Sequence, residues 1–432
     1  MPDPRCAQHD APYSSPLPEN TGPDGCPVGP VDRFFRELAG RHQPTTGFFA
    51  DFHGPAPDAG RLAADVLRRA RALPALNVLL TGPGRPRWRA PEAELDPAVH
   101  LRIRTGLTGP AELTAVSEGL LGHPLPDGGH PPWDLWLLTG HAPDAFRLCF
   151  RVHHMVQDGV GAAYSLLALL GRPGDEGPRL HPDRPATVRG AVRTGGWLLR
   201  SLLPPRTVPL PPPLAAPRSA DGPGPGPARM LRHAEVAEHH LRRAADAWGM
   251  TVNDVCLAGL AAALDIRTDI PVLLAMSTRR PDERYAPGNR VVGHPMMLPC
   301  SAPDPWAAAR RIGRATEAAR RARTRHTLRR TLERAPEPVG RWVLGSLARS
   351  CPVGVSSVTL PAPAGYGGAR LTGASMVYHP HPTLLPDEPS SVYVSFTRTP
   401  GTVRCTLIGD PSPAAAVIPA RWSARLLAAA GG

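Results

Sequence analysis

Acid–base chemistry near neutral pH needs an imidazole, and this chain sets two side by side: His153-His154-Met155-Val156-Gln157-Asp158-Gly159. The unperturbed histidine pKa, about 6.5, lets the ring accept and then release a proton under physiological conditions. The aspartate four residues after the second histidine can hold the loop in shape through a charge-assisted hydrogen bond, most simply to an arginine. The glycine after it removes a side chain where a substrate or another stretch of backbone must pass closely. A second pair, His239-His240, lacks the Asp-Gly and lies in a polar helical stretch, so it reads as solvated.

These residues need rigid carriers. Leu148-Cys149-Phe150-Arg151-Val152 alternates apolar and other side chains and reads as a strand. Its two-residue period sets Leu148, Phe150, Val152 and His154 on one face and His153 on the other, so one histidine of the pair can look into a given cavity. Val160 to Leu170 is small and leucine-rich and reads as a buried helix. The signature thus occupies a strand–loop–helix junction, where side chains are held firmly yet can reach a cavity.

The signature resembles the His-His-x-x-x-Asp-Gly motif of the acyltransferase superfamily that includes chloramphenicol acetyltransferase and the condensation domains of nonribosomal peptide synthesis. Four further segments are similar to the bacterial wax ester synthase/diacylglycerol acyltransferase family: Gly29-Pro30-Val31-Asp32-Arg33-Phe34-Phe35, Pro131-Pro132-Trp133-Asp134-Leu135-Trp136-Leu137, Thr251-Val252-Asn253-Asp254-Val255-Cys256-Leu257-Ala258 and Gly288-Asn289-Arg290-Val291-Val292-Gly293. They occur in the family's order and span nearly the whole chain from about residue 28. The family's Ser-Asn-x-Pro-Gly-Pro turn is replaced by Ser356-Ser357-Val358-Thr359-Leu360-Pro361, and the Asp-Phe-Gly-Trp-Gly motif of condensation domains is missing.

The resemblance implies an α/β (α+β) fold of two chloramphenicol acetyltransferase-like lobes, each a mixed sheet with flanking helices, around a central tunnel. It implies transfer of an acyl group from an acyl-CoA-type thioester to an acceptor hydroxyl, with no cofactor beyond the coenzyme A or phosphopantetheine of the substrate. His154 would be the general base, with His153 beside it and Asp158 an organiser of the loop, not a relay. Gly159, Asn253, Asp254, Ser356 and Ser357 are the candidate substrate-binding residues, the Gly159 backbone and the Ser356-Ser357 turn as oxyanion donors. Asn253 and Asp254 read equally well as the cap of a helix that starts the Val-Cys-Leu-Ala core. Two alternatives stay open: a stand-alone natural-product acyltransferase forming an ester or amide from acyl-CoA or an acyl carrier protein, and a catalytically silent binding protein of the same fold.

Composition bounds the rest. The 432 residues suit a bilobal body. There is no lysine, so all 49 basic side chains are arginine, a pattern of base composition in the genome. The net charge of +12 favours phosphate-bearing partners such as coenzyme A, acidic carrier proteins or an anionic lipid surface. No base-stacking or groove-reading motif accompanies the charge, which argues against nucleic acid. Seven cysteines without Cys-x-x-Cys spacing support neither a metal site nor a disulfide framework. A reducing cytoplasm fits, with peripheral contact at the inner membrane or a lipid droplet as the most that the composition allows.

The expected organisation is a disordered extension over 1–27, a first lobe over 28–172, a Pro/Gly-rich connector over 173–228 and a second lobe over 229–432. Asp58 to Leu73 reads as an amphipathic helix, and the second lobe as starting near Ala228 with a helix to Trp248. Within the connector, Val188 to Leu203 carries Trp197, Leu198, Leu199, Leu202 and Leu203 between arginines. It reads as a helix packed on the body in preference to one lying in a membrane interface. Ala307 to Arg334 is arginine-dense with alanines at helical spacing, expected to form one long surface helix whose solvated face is favoured over a phosphate-docking role.

Overall fold

The computed structural model describes the chain apart from residues 1–27, 39–42, 83–85, 172–176, 183, 203–207, 216–228, 362–364, 379–391 and 432. The expected disorder over 1–27 therefore lies outside the described residues, as does part of the connector. In chain order the strands are β1 (Thr45–His53), β2 (Leu79–Thr81), β3 (Arg87–Arg89), β4 (Leu101–Arg104), β5 (Trp133–Thr139), β6 (Ala145–His153) and β7 (Met230–Ala237). They continue with β8 (Ile270–Ser277), β9 (Val291–Leu298), β10 (Val353–Thr359), β11 (Gly365–Tyr366), β12 (Ala369–Tyr378), β13 (Val392–Thr399) and β14 (Thr402–Gly409).

Two six-stranded mixed sheets organise these strands: β11-β12-β1-β6-β5-β4 and β7-β14-β13-β10-β8-β9. Period-2 patterning explains how the first one sits. Phe48, Ala50 and Phe52 of β1, with Phe146, Leu148, Phe150 and Val152 of β6, turn to one core. The helix Gly159–Leu169, buried along its whole length, lies in that same core. A helix apolar on every side is stable only when it is covered on every side. Val358 and Leu360, from and just after β10, and Tyr393 of β13 close it from the second sheet.

The second sheet has its own core, where Val255, Leu257 and Leu260 of the helix Val252–Ala263 meet Val355, Val394 and Leu407. The division at residue 229 does not hold for every strand. β11 and β12 come from the second half of the chain but complete the first sheet, β12 pairing antiparallel with β1 from Thr46↔Tyr378 to His53↔Arg370. Where β12 crosses, Arg404 of β14 bonds Asp51 of β1 at 2.6 Å and Glu235 of β7 at 2.7 Å, and Arg147 of β6 bonds the other Asp51 oxygen at 2.6 Å.

Other elements differ from the sequence reading. The stretch expected to be helical from Ala228 opens as β7, whose buried Met230, Leu231 and Val236 satisfy strand pairing with β14, and the helix begins at Glu238. The arginine-dense stretch forms two helices, Pro305–Arg321 and Thr324–Arg334, broken where Arg323 adopts a left-handed φ of 50°. Helical periodicity continues through that point, so the side chains carry no sign of the break. The connector helix, Val188–Leu202, packs through Gly190 and Thr194 while Val188, Val192 and Leu199 stay exposed. Its Trp197, Leu198 and Leu202 side chains lie outside what is described.

Candidate active site

β6 ends at His153, and five residues, His154 to Asp158, carry the chain to the helix Gly159–Leu169. Two main-chain bonds anchor this turn to the starts of neighbouring strands: His153 N–H donates to the Pro132 carbonyl at 2.9 Å and His154 N–H to Pro44 at 2.7 Å. The two histidines then take different parts. His153 Nδ1 accepts the Met155 N–H at 3.1 Å, so that nitrogen closes the turn and the ring proton of the neutral form sits on Nε2. His154 stacks on Phe35, with centroids 3.9 Å apart and planes 19° apart, and meets Tyr378 edge-on at 5.3 Å. Its Nδ1 is buried without a hydrogen bond among the described residues.

Burial pushes the His154 pKa down to about 4, outweighing its own main-chain carbonyl, the charge of Asp158 and the Asn289 amide, which all favour the protonated ring. Burial and the neighbouring His154 push His153 down to about 3. Both rings are therefore neutral at pH 7, the form that can accept a proton.

Asp158 is fully engaged. Its Oδ1 accepts the Val160 and Gly161 N–H groups at 3.0 and 2.9 Å, capping the helix. Its Oδ2 accepts the Arg279 Nη2 and the Arg290 N–H, both at 2.7 Å. Burial works to raise its pKa, but the Arg279 charge and these hydrogen bonds win, and the carboxyl lies below its ordinary value. Arg279, 0% exposed, also donates to the Glu283, Ala286 and Gly288 carbonyls at 2.6, 3.0 and 2.8 Å. A side chain at Gly161 would meet the Arg279 guanidinium at 2.8 Å, so only glycine leaves room for the pair.

The opening motif and the Gly-Asn motif meet at the same place. Asp32 Oδ1 accepts the Asn289 N–H at 2.6 Å and Nδ2 at 2.9 Å, and that Nδ2 also donates to the His154 carbonyl at 2.6 Å. Gly288 N–H donates to the Val156 carbonyl at 2.6 Å. Asp32 is wholly buried, and burial lifts its pKa above the ordinary carboxyl value against the pull of Arg290 and Asn289. Arg279, Asn289, Asp32, Phe35 and Tyr378 were not singled out one by one from the sequence. Asp32, Phe35 and Asn289 lie inside quoted motifs, whereas nothing in the spacing around Arg279 or Tyr378 marks them.

Ser356 and Ser357 stand in β10, not in a turn: Val355, Val358 and Thr359 continue the strand, which pairs with β13 through Ser356↔Ser395 and Ser357↔Phe396. The two hydroxyls consequently face opposite ways, Ser357 exposed and Ser356 buried. Ser356 Oγ accepts from the Tyr393 hydroxyl at 2.6 Å and lies 3.3 Å from Met376 Sδ. Tyr393 packs tilted by 35° against Tyr378, with centroids 4.5 Å apart, and Tyr378 is the ring that borders His154. Met376 also lies over Gly159, where a Cβ would fall 2.1 Å from its methyl carbon. Ser356, Gly159 and His154 are thus linked through one run of side-chain contacts, by way of Met376, Tyr393 and Tyr378.

Asn253 and Asp254 stand elsewhere. Thr251, not Asn253 or Asp254, caps the helix Val252–Ala263, and Asp254 completes the capping box by accepting the Thr251 N–H at 3.1 Å. Asp254 also accepts from Thr316 at 2.9 Å. Its hydrogen bonds stay within the second lobe's helices and none reaches the histidines. Among the described residues no group of three His, Cys, Asp or Glu could hold a metal ion.

Residues 29–184 match the model of the wax ester synthase/diacylglycerol acyltransferase catalytic domain. A putative diacylglycerol O-acyltransferase of Mycobacterium tuberculosis is 33% identical over 196 residues, 38% of this chain and 38% of that relative. The probable diacylglycerol O-acyltransferase tgs1 of the same species is 24% identical over 362 residues, 73% of this chain and 76% of its own length. Among solved structures, the wax ester synthase/diacylglycerol acyltransferase of Marinobacter aquaeolei VT8 superposes with a TM-score of 0.61 at 22% identity, covering 94% of this chain and 100% of that one. The first condensation domain of the calcium-dependent antibiotic synthetase superposes with a TM-score of 0.63 at 19% identity, covering 94% and 96%. At such identities the two structures speak for the fold.

Proposed function

We propose that this chain is a member of the wax ester synthase/diacylglycerol acyltransferase family, whose catalytic-domain model matches residues 29–184, and is an O-acyltransferase that moves an acyl group from an acyl-CoA-type thioester to an acceptor hydroxyl. The observation that carries the reading is the division of labour between the histidines: His153 spends Nδ1 on the turn, while His154 presents a neutral ring with Nδ1 unpartnered beside Phe35 and Tyr378.

His154 takes the proton of the acceptor hydroxyl as its oxygen attacks the thioester carbonyl, and the tetrahedral intermediate collapses with release of the thiolate, which regains a proton from the imidazolium. Asp158 takes no proton in this scheme, because all its acceptor positions near the loop are committed. Two groups would donate to the oxyanion. One is the main-chain N–H at Gly159, since the next two of that helix go to Asp158. The other is the Ser356 hydroxyl, which accepts from Tyr393 and otherwise faces only a thioether, a weak acceptor. One such donor is worth about 3 kcal/mol at the transition state. The walls of Phe35, Tyr378, Met376 and Val358 favour an apolar acceptor such as a long-chain alcohol or diacylglycerol.

Incubation with a long-chain acyl-CoA and hexadecanol or diacylglycerol should yield neutral ester and free thiol, and His154→Ala should lower the rate about 10²- to 10⁴-fold. Ester formation by His154→Ala at the native rate would overturn the assignment. The replacement of the family's Ser-Asn turn by Ser356-Ser357 in β10 favours a second reading, acylation of a polar alcohol or amine. Thiol release with a polyol or amine but with neither lipid acceptor would select it.

A further inference from the structure

Two threonines open β1, and the ladder around them treats their hydroxyls differently. Thr45 stands opposite His153, and its Oγ1 donates to the Gln43 carbonyl at 3.0 Å. Thr46 stands opposite Val152 of β6 on one side and Tyr378 of β12 on the other. It is 0% exposed, and its Oγ1 has no hydrogen-bond partner among the described residues. A buried hydroxyl in this condition gives up its bonds to water and gains none in return.

The ladder also fixes which way that hydroxyl faces. Side chains directly opposite across paired strands share a face, with Cβ atoms about 4.5–5.5 Å apart. Thr46 therefore shares its face with Val152 and Tyr378 and, by the two-residue period, with Phe48 and Ala50, which turn to the core of the first sheet. Tyr378 is the ring that meets His154 edge-on at 5.3 Å. His154 N–H donates to the Pro44 carbonyl at 2.7 Å, so the two chains stay paired one residue beyond β6 and His154 lies diagonal to Thr46. The hydroxyl stands at the end of the sheet that carries the imidazole and on the face to which Tyr378 belongs.

Other hydroxyls of this lobe's interior are matched. Ser165 exchanges bonds with Gln157 at 2.9 and 3.1 Å, and Tyr164 donates to the Pro178 carbonyl at 2.7 Å. Thr46 Oγ1 and His154 Nδ1 are instead two buried polar atoms without partners at one end of one sheet. An acceptor that reaches His154, which Phe35 covers, brings its own hydroxyl to the place where Thr46 lacks one.

We propose that Thr46 anchors the acceptor: its O–H donates to the oxygen of a long-chain primary alcohol, while the alcohol's own O–H donates to His154. The inference rests on the acyl-transfer reading above and names the group that holds the nucleophile. An alcohol oxygen has two lone pairs, so one accepts from Thr46 and the other attacks the thioester carbonyl. Held at two points, the nucleophile meets the base in a fixed orientation.

Thr46→Val keeps the shape of the side chain and removes the hydroxyl, and Thr46→Ser keeps the hydroxyl. In the full chain, Thr46→Val should raise the KM for hexadecanol about 10-fold, the worth of one hydrogen bond. The KM for a long-chain acyl-CoA and kcat should stay as in wild type, because the bond is held before and during attack. The melting temperature should stay or rise, since no partner is lost. Thr46→Ser should restore the hexadecanol KM. In equilibrium dialysis, Thr46→Val should bind radiolabelled hexadecanol about 10-fold more weakly and hexadecane as wild type does. Wild-type hexadecanol KM and affinity in Thr46→Val overturn the proposal, as does a wild-type chain that takes up no hexadecanol. An equal loss for hexadecane overturns it by assigning the effect to reshaped walls. A fall in kcat at unchanged KM gives the hydroxyl to the oxyanion, and a lower melting temperature gives it a partner in the fold; either result also overturns it. Hydroxyl-dependent hexadecanol binding without thiol release from acyl-CoA upholds the anchor and removes the transfer reaction instead.

Discussion

Asp158→Asn separates a carboxylate that positions from one that relays protons. The substitution keeps the oxygen that caps the helix Gly159–Leu169 and converts the other into an amide that presents N–H to Arg279 and Arg290. The Arg279 side chain is 0% exposed and its charge loses its counterion. Stranding one member of a buried pair costs about 3–5 kcal/mol. With about 2–4 °C lost per kcal/mol in a lobe-sized cooperative unit, the melting temperature should fall by about 6–20 °C. Differential scanning calorimetry measures the fall, and thiol release at 15 °C, where the variant is still folded, measures chemistry. Neutralising both partners in Asp158→Asn/Arg279→Gln should cost less than the two single losses added together, since neither charge is then left alone. A variant that melts like wild type yet has lost turnover would refute the reasoning, because Asp158 would then act on the reaction itself.

Other perturbations have equally definite outcomes. The rate should be flat through neutral pH and fall as pH drops through about 4, the His154 pKa set by burial, so a half-point near 6.5 in thiol release would contradict the burial of the ring. Histidines held neutral in the fold, His153 near 3 and His154, His181 and His294 near 4, bind protons more readily once unfolded. Their contribution to stability is therefore complete above about pH 6.5 and is lost as pH falls toward 4, seen as a declining melting temperature across that window. Gly159→Ala puts a methyl group against Met376 and should cost about 1–3 kcal/mol in urea unfolding, partly restored in Gly159→Ala/Met376→Ala. Asn289→Ala removes the bridge between Asp32 and the His154 carbonyl and should destabilise by about 1–3 kcal/mol, and an unchanged unfolding midpoint would deny the bridge any role.

Much of the centre was legible because its chemistry is local. The strand before His153, the helix after Gly159 and the turn between them follow from alternation, small residues and the capping ability of aspartate. The Gly29–Phe35 and Gly288–Gly293 segments could be recognised, but not their meeting through Asp32 and Asn289, which lie 257 residues apart. Arg279 was illegible for a different reason: one arginine among 49 arginines and no lysines has no compositional contrast. The family resemblance implies a turn at Ser356-Ser357, but Val358 and Thr359 are strand formers and carry β10 through it. Thr251 shows the opposite case, since Thr-Val-Asn-Asp spells a capping box that local chemistry alone explains. The passage of β12 to the first sheet leaves no trace in periodicity, because a strand's pattern reports its faces and not its neighbours.

That passage has a practical outcome for anyone dissecting the protein. Cutting the polypeptide in the proline-rich region yields an amino-terminal fragment whose β1 has lost its lateral partner, leaving a row of unpaired amides from Thr46 to His53. Such a fragment should self-associate when produced alone and recover only when the complementary piece, with β12 intact, is supplied in the same cell. The molecule is divisible in outline but not in manufacture.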